Sequence, residues 1–299
     1  LLIERASEMG FCFGVRRAIN MLKRAAAKHD RVETLGPIVH NEQVVKRLAA
    51  DGVRAVSSLD ELEGGVVAIT SHGVSPAVLE EIKSRGLQAI DTTCPFVRKA
   101  QTTARKLADA GFFVLIFGEA DHSEVQGVLG WAGGRGIAAL DEASIELSRL
   151  PRRVGILSQT TQSPSRFAHF VKRFIDLGLG KIEELRVIDT ICDATRKRQG
   201  AALDLAKRVN LMIVVGGRDS ANTRRLAEVC STAVETHHIE ETSEIEASWL
   251  EGRDRIGVTA GASTPDEIAE EVIQRLEEMT QAKASPASAK LILKKGVKL

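Results

Sequence analysis

Short, continuous apolar runs alternate with amphipathic stretches along nearly the whole chain. The runs are Val32–Leu35, "GVVAIT" from Gly65, "LQAIDT" from Leu87, "FFVLIFG" from Phe112, "RVGILS" from Arg153, "LRVIDT" from Leu185, "LMIVVGG" from Leu211 and "RIGVTAG" from Arg255. In all but Val32–Leu35 the apolar residues are consecutive rather than every second one, as expected for strands covered on both faces of a parallel sheet. Between them, "SPAVLEEIKSRG", "PFVRKAQTTARKLADAG", "DATRKRQGAALDLAKRV" and "TPDEIAEEVIQRLEEM" carry helical periodicity. Several open on Ser, Asp or Pro and close at Gly, which are start and stop signals for helices. Repeated β-α of this kind predicts an α/β fold built on parallel sheets.

One stretch is written twice. "AIDTTCPFVRKAQ" from Ala89 and "VIDTICDATRKRQ" from Val187 agree at seven of thirteen positions, aligning Cys94 with Cys192. "CFGVRR" from Cys12 shares their Cys-x-x-x-Arg-[Lys/Arg] pattern. Three copies of one junction point to three small α/β domains, each with room for about four strands, rather than one large sheet. The boundaries expected from this are 14–95, 96–192, and 193–281 together with 1–13. The tail 282–299 loses the pattern and is expected to be disordered.

Composition narrows the function more than the fold. With 299 residues, 41 Lys and Arg against 40 Asp and Glu, the net charge is +1, and no nucleic-acid or membrane-surface partner is expected. No apolar run reaches membrane-spanning length. The four cysteines are far apart and read as free thiols rather than a disulfide framework, which fits a reducing cytoplasm.

Unusual polar residues follow the strands: His40 in "GPIVHN", His72 in "SHGVSP", His122 and Glu124 in "EADHSEV", Thr160 in "QTTQS", Ser220 and Asn222 in "RDSAN", and Ser263 in "AGAST". In open parallel sheets ligands bind beyond the carboxyl ends of the strands, so one shared site is the economical reading. A cysteine at a helix start, followed one turn on by Arg-Lys or Arg-Arg, is expected to favour the thiolate and serve as a metal ligand. No C-x-x-C pair or tandem ferredoxin spacing occurs, so the ligands would come from remote segments. Three thiolates on a [4Fe–4S] cluster would leave one iron open to substrate. Buried apolar packing is the competing reading for each cysteine, and it is the one adopted for Cys230, which lies outside the repeat. The histidines, with Ser and Asn at predicted helix starts, suit a diphosphate; helix capping is the plainer reading of any single Ser or Asn. No P-loop or G-x-G-x-x-G pattern supports a nucleotide. Glu124 is either a carboxyl kept protonated by burial or a first-turn residue favoured by the helix dipole. The other four histidines, His29, His169, His237 and His238, are assigned to surface or packing.

The ordered segments "GFCFGV", "TLGPIVHN", "SHGVSP", "DTTCP", "HSEVQG", "SQTTQS", "TICDATRKRQ", "DSANTRRL" and "TAGASTPD" resemble the motifs of the 4-hydroxy-3-methylbut-2-enyl diphosphate reductase family, over roughly residues 3–279. The resemblance implies a three-lobed trefoil around one central [4Fe–4S] cluster bound by Cys12, Cys94 and Cys192. It makes His40, His72, His122, Ser220, Asn222 and Ser263 the diphosphate contacts, Glu124 the proton source, and Thr160 the residue that orients the substrate hydroxyl. The implied reaction is a two-electron, two-proton loss of the allylic hydroxyl to give isopentenyl and dimethylallyl diphosphate. Electrons would come from ferredoxin or flavodoxin. Two departures stand out: Ala221 replaces a second serine before Asn222, and Ser123 replaces a proline between His122 and Glu124. Two other readings are weighed: a hydro-lyase with an open-iron cluster, and a non-catalytic thiol or iron–sulfur redox sensor. A sensor has no use for Glu124 and Thr160.

Overall fold

The structure, a computed structural model, describes residues 1–146, 148, 150–178 and 180–284. Among these, twelve strands form three four-stranded, wholly parallel sheets. The first sheet holds β2 (Val32–Leu35), β3 (Val53–Val56), β4 (Val66–Ile69) and β5 (Gln88–Asp91), in the order β3-β2-β4-β5. The second holds β6 (Phe113–Phe117), β7 (Gly136–Ala139), β8 (Arg153–Ser158) and β9 (Glu184–Val187), ordered β7-β6-β8-β9. The third joins β1 (Leu2–Arg5) to β10 (Leu211–Val215), β11 (Thr236–Ile239) and β12 (Arg255–Ala260), ordered β1-β12-β10-β11. Each sheet has the same plan: the edge strand that precedes a cysteine, then two central strands, then a second edge. The three copies of the cysteine junction are therefore three copies of one topology.

The helices are α1 (Phe13–Ala26), α2 (Glu42–Ala50), α3 (Pro76–Ser84), α4 (Pro95–Asp109), α5 (Ser123–Trp131), α6 (Pro164–Gly178), α7 (Asp193–Ala206), α8 (Ala221–Ser231) and α9 (Asp266–Ala284). They cover both faces of each sheet, and the central strands β4, β6 and β10 are apolar throughout. In β10, Leu211, Ile213 and Val215 pack with Ile268 and Val272 of α9, while Met212 and Val214 pack with Leu205 and Leu226 on the other face. In β6, Val114 and Ile116 pack with Ala104 and Val125, and Leu115 and Phe117 with Phe167 and Phe170. In β4, Val66 and Ala68 pack toward Val15 and Val44, and Val67 and Ile69 toward Ile82. Side chains alternate across the sheet with period two, and two apolar layers need an unbroken apolar run.

Strands β1, β3, β7 and β11 have no such run, and each is an edge. Their sequences LIER, VRAV, GIAA and THHI mix polar or small residues with apolar ones, because an edge strand meets water.

The described chain divides into two compact units: residues 1–10 with 198 onward, which holds the β1 sheet, and Phe11–Lys197, which holds the other two sheets. Helix α9 continues to Ala284; the remainder of the expected tail lies outside the described residues. No described helix is long and apolar enough to cross a membrane.

Candidate active site

All three repeated cysteines lie in the unit Phe11–Lys197. Cys12 and Cys94 are the N-cap residues of α1 and α4, and Cys192 directly precedes α7. The loops that present Cys94 and Cys192 are built alike. The Cys94 N–H donates to the carbonyl of Ser71 at 3.0 Å, and the Cys192 N–H to the carbonyl of Thr160 at 3.0 Å. The carboxylates of Asp91 and Asp189 accept the backbone N–H two residues on, from Thr93 and Ile191, both at 3.0 Å. Their other oxygens take a guanidinium one turn into the following helix, Arg98 and Arg196 respectively. The matched Asp, Cys and Arg, with the matched Thr92 and Thr190 whose hydroxyls donate to the carbonyls of Ile69 and Ser158, are thus a strap that fixes each cysteine at its helix start.

The thiols converge. A Cβ placed on Gly14 would lie 2.6 Å from the Cys94 Sγ and 3.8 Å from the Cys12 Sγ, so only glycine admits the sulfurs this close to α1. Cys94 also feels the charges of both Cys12 and Cys192. Among the described residues, the three histidines are the group of three or more His, Cys, Asp or Glu side chains whose ligand atoms all lie within 4.8 Å of one another. The wider thiol set fits a polynuclear cluster better than a single zinc ion, whose bonds to sulfur are about 2.3 Å.

The expectation that these sites favour thiolates is corrected by burial. The N–H groups of Phe96 and Val97 at the start of α4 lower the Cys94 pKa, but loss of solvent outweighs them and pushes it up to about 11. Burial raises Cys192 as well, against hydrogen bonds from Thr195. Cys230, fully buried, is a core residue as expected, its thiol pushed up by burial to about 12.

His40, His72 and His122 follow β2, β4 and β6, and their rings form a triangle with centroids 5.0, 5.5 and 5.3 Å apart. Such a triangle suits either a cation or an anion, and the hydrogen bonding selects the anion. His122 caps α5, its Nδ1 accepting the Glu124 N–H at 3.1 Å. The neutral ring then carries its proton on Nε2, as a donor. A metal-bound histidine has the opposite arrangement, donating from the nitrogen that is not on the metal. Burial, and secondarily the neighbouring His40 and His122, hold His72 well below the ordinary histidine range.

Glu124, on the first turn of α5, is 2% exposed. Its Oε1 accepts the Thr160 N–H at 2.7 Å and its Oε2 the Thr160 hydroxyl at 2.8 Å. Burial raises its pKa, and these two bonds only partly offset the rise. With the Cys192 N–H on the Thr160 carbonyl, Thr160 joins the buried carboxyl to a cysteine loop. Cys192 in turn feels the charge of Glu124.

Ser220, Asn222 and Ser263 belong to the other unit. Ser220 caps α8 through the Thr223 N–H at 3.3 Å and receives a hydrogen bond from the Ser263 hydroxyl at 3.4 Å. The buried Asn222 Nδ2 has no protein acceptor, leaving a donor for a ligand. The capping role expected of Ser220 is real, and it coexists with a polar cluster.

Three further residues bear on the site. Gln159 accepts the Glu119 N–H at 3.1 Å while its own buried Nε2 has no protein acceptor. Gln101, fully buried, accepts from Arg98 at 3.0 Å and donates to the Val74 carbonyl at 3.4 Å, bracing α4 against the His72 loop. Gly73 has a positive φ of 70°, and a Cβ there would meet the Gln101 amide at 2.4 Å. Gln101 was signalled by its recurrence as Gln199 in the repeat; Gln159 had no periodic signal.

Comparison with known proteins gives a consistent picture. The model of the LytB protein family matches residues 3–277. The chain is 52% identical over 279 residues to the 4-hydroxy-3-methylbut-2-enyl diphosphate reductase of Dehalococcoides mccartyi (strain CBDB1), covering 93% of this chain and 98% of that one. It is 47% identical over 284 residues to the enzyme of the same name from Geobacter sulfurreducens, covering 94% and 99%. A solved structure of (E)-4-hydroxy-3-methyl-but-2-enyl diphosphate reductase, described as the terminal enzyme of the non-mevalonate pathway, aligns over 93% of this chain and 100% of its own, with TM-score 0.67 and 39% identity. The Plasmodium falciparum reductase structure aligns over 91% and 87%, with TM-score 0.84 and 25% identity. The chain, with its three copies of one α/β topology, belongs to the LytB family.

Proposed function

We propose that this chain is a cytoplasmic reductase that removes the allylic hydroxyl of (E)-4-hydroxy-3-methylbut-2-enyl diphosphate. Two electrons and two protons enter, water leaves, and the products are isopentenyl and dimethylallyl diphosphate. The observation that carries this reading is the Glu124–Thr160 pair: a buried carboxyl with a raised pKa, bonded through one residue to the loop of Cys192.

Cys12, Cys94 and Cys192 would hold one [4Fe–4S] cluster, which when bound supplies single electrons and a Lewis-acidic iron without a cysteine ligand. Gly14 lets the Cys94 sulfur lie close to α1, and the Asp–Arg straps would hold Cys94 and Cys192 in place as two of its ligands. The Nε2–H of His122, with His40, His72, Ser220, Asn222 and Ser263, would receive the diphosphate through N–H and O–H donors. Glu124 in its protonated form is the donor to the departing hydroxyl, and Thr160 orients both carboxyl and substrate. Its burial lets it remain protonated at a pH where an exposed glutamate has ionised. The second proton goes to one of two allylic carbons and sets which product forms. Electrons come from an external carrier of the ferredoxin or flavodoxin class.

Glu124→Gln keeps the shape of the side chain and removes its acid. The variant, loaded with iron and sulfide to the wild-type level, is expected to bind substrate but to turn over about 10²–10⁴-fold more slowly. Unchanged turnover would overturn the assignment of Glu124. A chain with no turnover at all, wild type included, would point instead to the sensor reading.

A further inference from the structure

The reaction proposed above consumes electrons, and the sequence has no nicotinamide or flavin motif to supply them. They must enter by contact with another molecule, and the helices that open on the thiols offer it different surfaces. Resting on that functional reading, we propose that the outer face of α1, with Phe13 at its tip, is the docking surface for a small acidic one-electron carrier protein.

Phe13 is 64% exposed, the most exposed large hydrophobic side chain among the described residues. A lone exposed hydrophobic residue needs no explanation by itself. Its position does: it is the covalent neighbour of Cys12, and its ring stands in solvent where the chain presents a thiol. From Phe13 the exposed positions run Arg16, Asn20, then Lys23 and Arg24, at the three- and four-residue spacing of a single helix face.

The charge on this helix has one sign. Among its fourteen residues α1 carries Arg16, Arg17, Lys23 and Arg24 and no acidic residue. The other two helices that open on these thiols differ: α4 contains Asp109, and α7 contains Asp193 and Asp204. Asp51 faces this surface from a neighbouring element, 3.9 Å from Lys23 in an exposed pair. Arg17 points the other way and donates to the carbonyls of Thr92 and Thr93 at 3.3 and 3.2 Å. That ties α1 to the Cys94 loop, so a partner seated here touches the helix that opens on Cys12 and is hydrogen-bonded to the loop of Cys94.

An apolar tip continued along one helix face by positive charge is suited to brief, electrostatically steered encounters, which electron carriers need because they must leave after each transfer. The sign selects an acidic partner.

The test separates docking from chemistry. Lys23→Glu with Arg24→Glu reverses the charge about three turns from Cys12, and Phe13→Ala removes the apolar tip. Holoenzymes matched for iron content would be driven either by reduced methyl viologen or by ferredoxin or flavodoxin kept reduced by NADPH and a reductase. Affinity for each oxidised carrier would be measured by titration calorimetry. The charge reversal is expected to weaken carrier binding and carrier-driven kcat/KM by roughly tenfold, flatten their dependence on salt, and leave viologen-driven turnover within about twofold of wild type. Phe13→Ala should weaken carrier binding without changing the salt slope. Carrier affinity and carrier-driven rate unaltered in both variants would overturn the proposal, as would wild-type enzyme that turns over with viologen but binds neither carrier. Wild-type enzyme inactive even with viologen would defeat the functional reading instead, while the calorimetry would still decide where a carrier binds.

Discussion

Burial sets the behaviour of individual groups at this site more than their local partners do. Glu124 sits at a helix N-terminus and accepts two hydrogen bonds, both of which favour the carboxylate, yet its pKa is raised because the carboxyl is removed from water. The sign for activity follows. The acid form is the one that donates, so turnover should be constant at low pH and fall as pH rises through a pKa above the ordinary glutamate range. A pH profile of kcat on substrate-saturated enzyme checks this; a rate that rises with pH across that interval would exclude Glu124 as the acid. Cys94 obeys the same rule more strongly, with its thiol pushed up to about 11. Metal ligation requires the thiolate, so loading a cluster releases protons and is favoured as pH rises.

At the scale of elements, the repeated Asp–Arg strap is the device that turns a strand end and a helix start into a ligand holder. The ion pairs are half-exposed, with side chains of Arg98 and Asp91 at 34% and 47%. Pairs of that kind contribute only about 0–1 kcal/mol to stability. Asp91→Asn and Asp189→Asn should therefore change the denaturation midpoint little. Each also weakens the bond that fixes its cysteine, so iron release to a chelator, followed by the loss of visible absorbance, should be faster than in wild type. Wild-type release rates in both variants would show that the strap does not position the ligands.

The Asp, Thr, Cys and Arg of the strap were legible as a repeat, but their geometry was not. Sequence spacing could not say that the aspartate takes both a backbone N–H and a guanidinium. The edge strands β1, β3, β7 and β11 were unreadable for a related reason. A strand covered on one side only carries no apolar run, and its partner is chosen by the sheet rather than by its own residues.

Across the molecule, the three candidate ligands are distant in the chain and near in space. Cys12, Cys94 and Cys192 divide it so that a group bound to all three closes loops of about 80 and 100 residues. Such a group binds the folded state and has no preformed site in the unfolded one, so it stabilises by linkage. Protein reconstituted anaerobically with iron and sulfide should unfold at a higher temperature than the same protein stripped by chelator. A Cys94→Ser variant should lose most of that difference. Equal melting temperatures for loaded and stripped protein would mean that the thiols do not share one group.

The sequence by itself determined the class of fold, the central strands, the threefold junction and the residue types of the site. These depend on local facts: two apolar layers require an unbroken apolar run, and a duplicated strand end repeats its letters. Only the tertiary structure decided the rest. It showed that the histidines form a triangle whose His122 is fixed as an N–H donor, that Gly14 opens space for sulfur, that Gln101 braces the His72 loop, and that loss of solvent raises the thiol pKa of Cys94 and Cys192. Desolvation and close approach are properties of what surrounds a residue, and in this chain the surroundings come from segments tens of residues away.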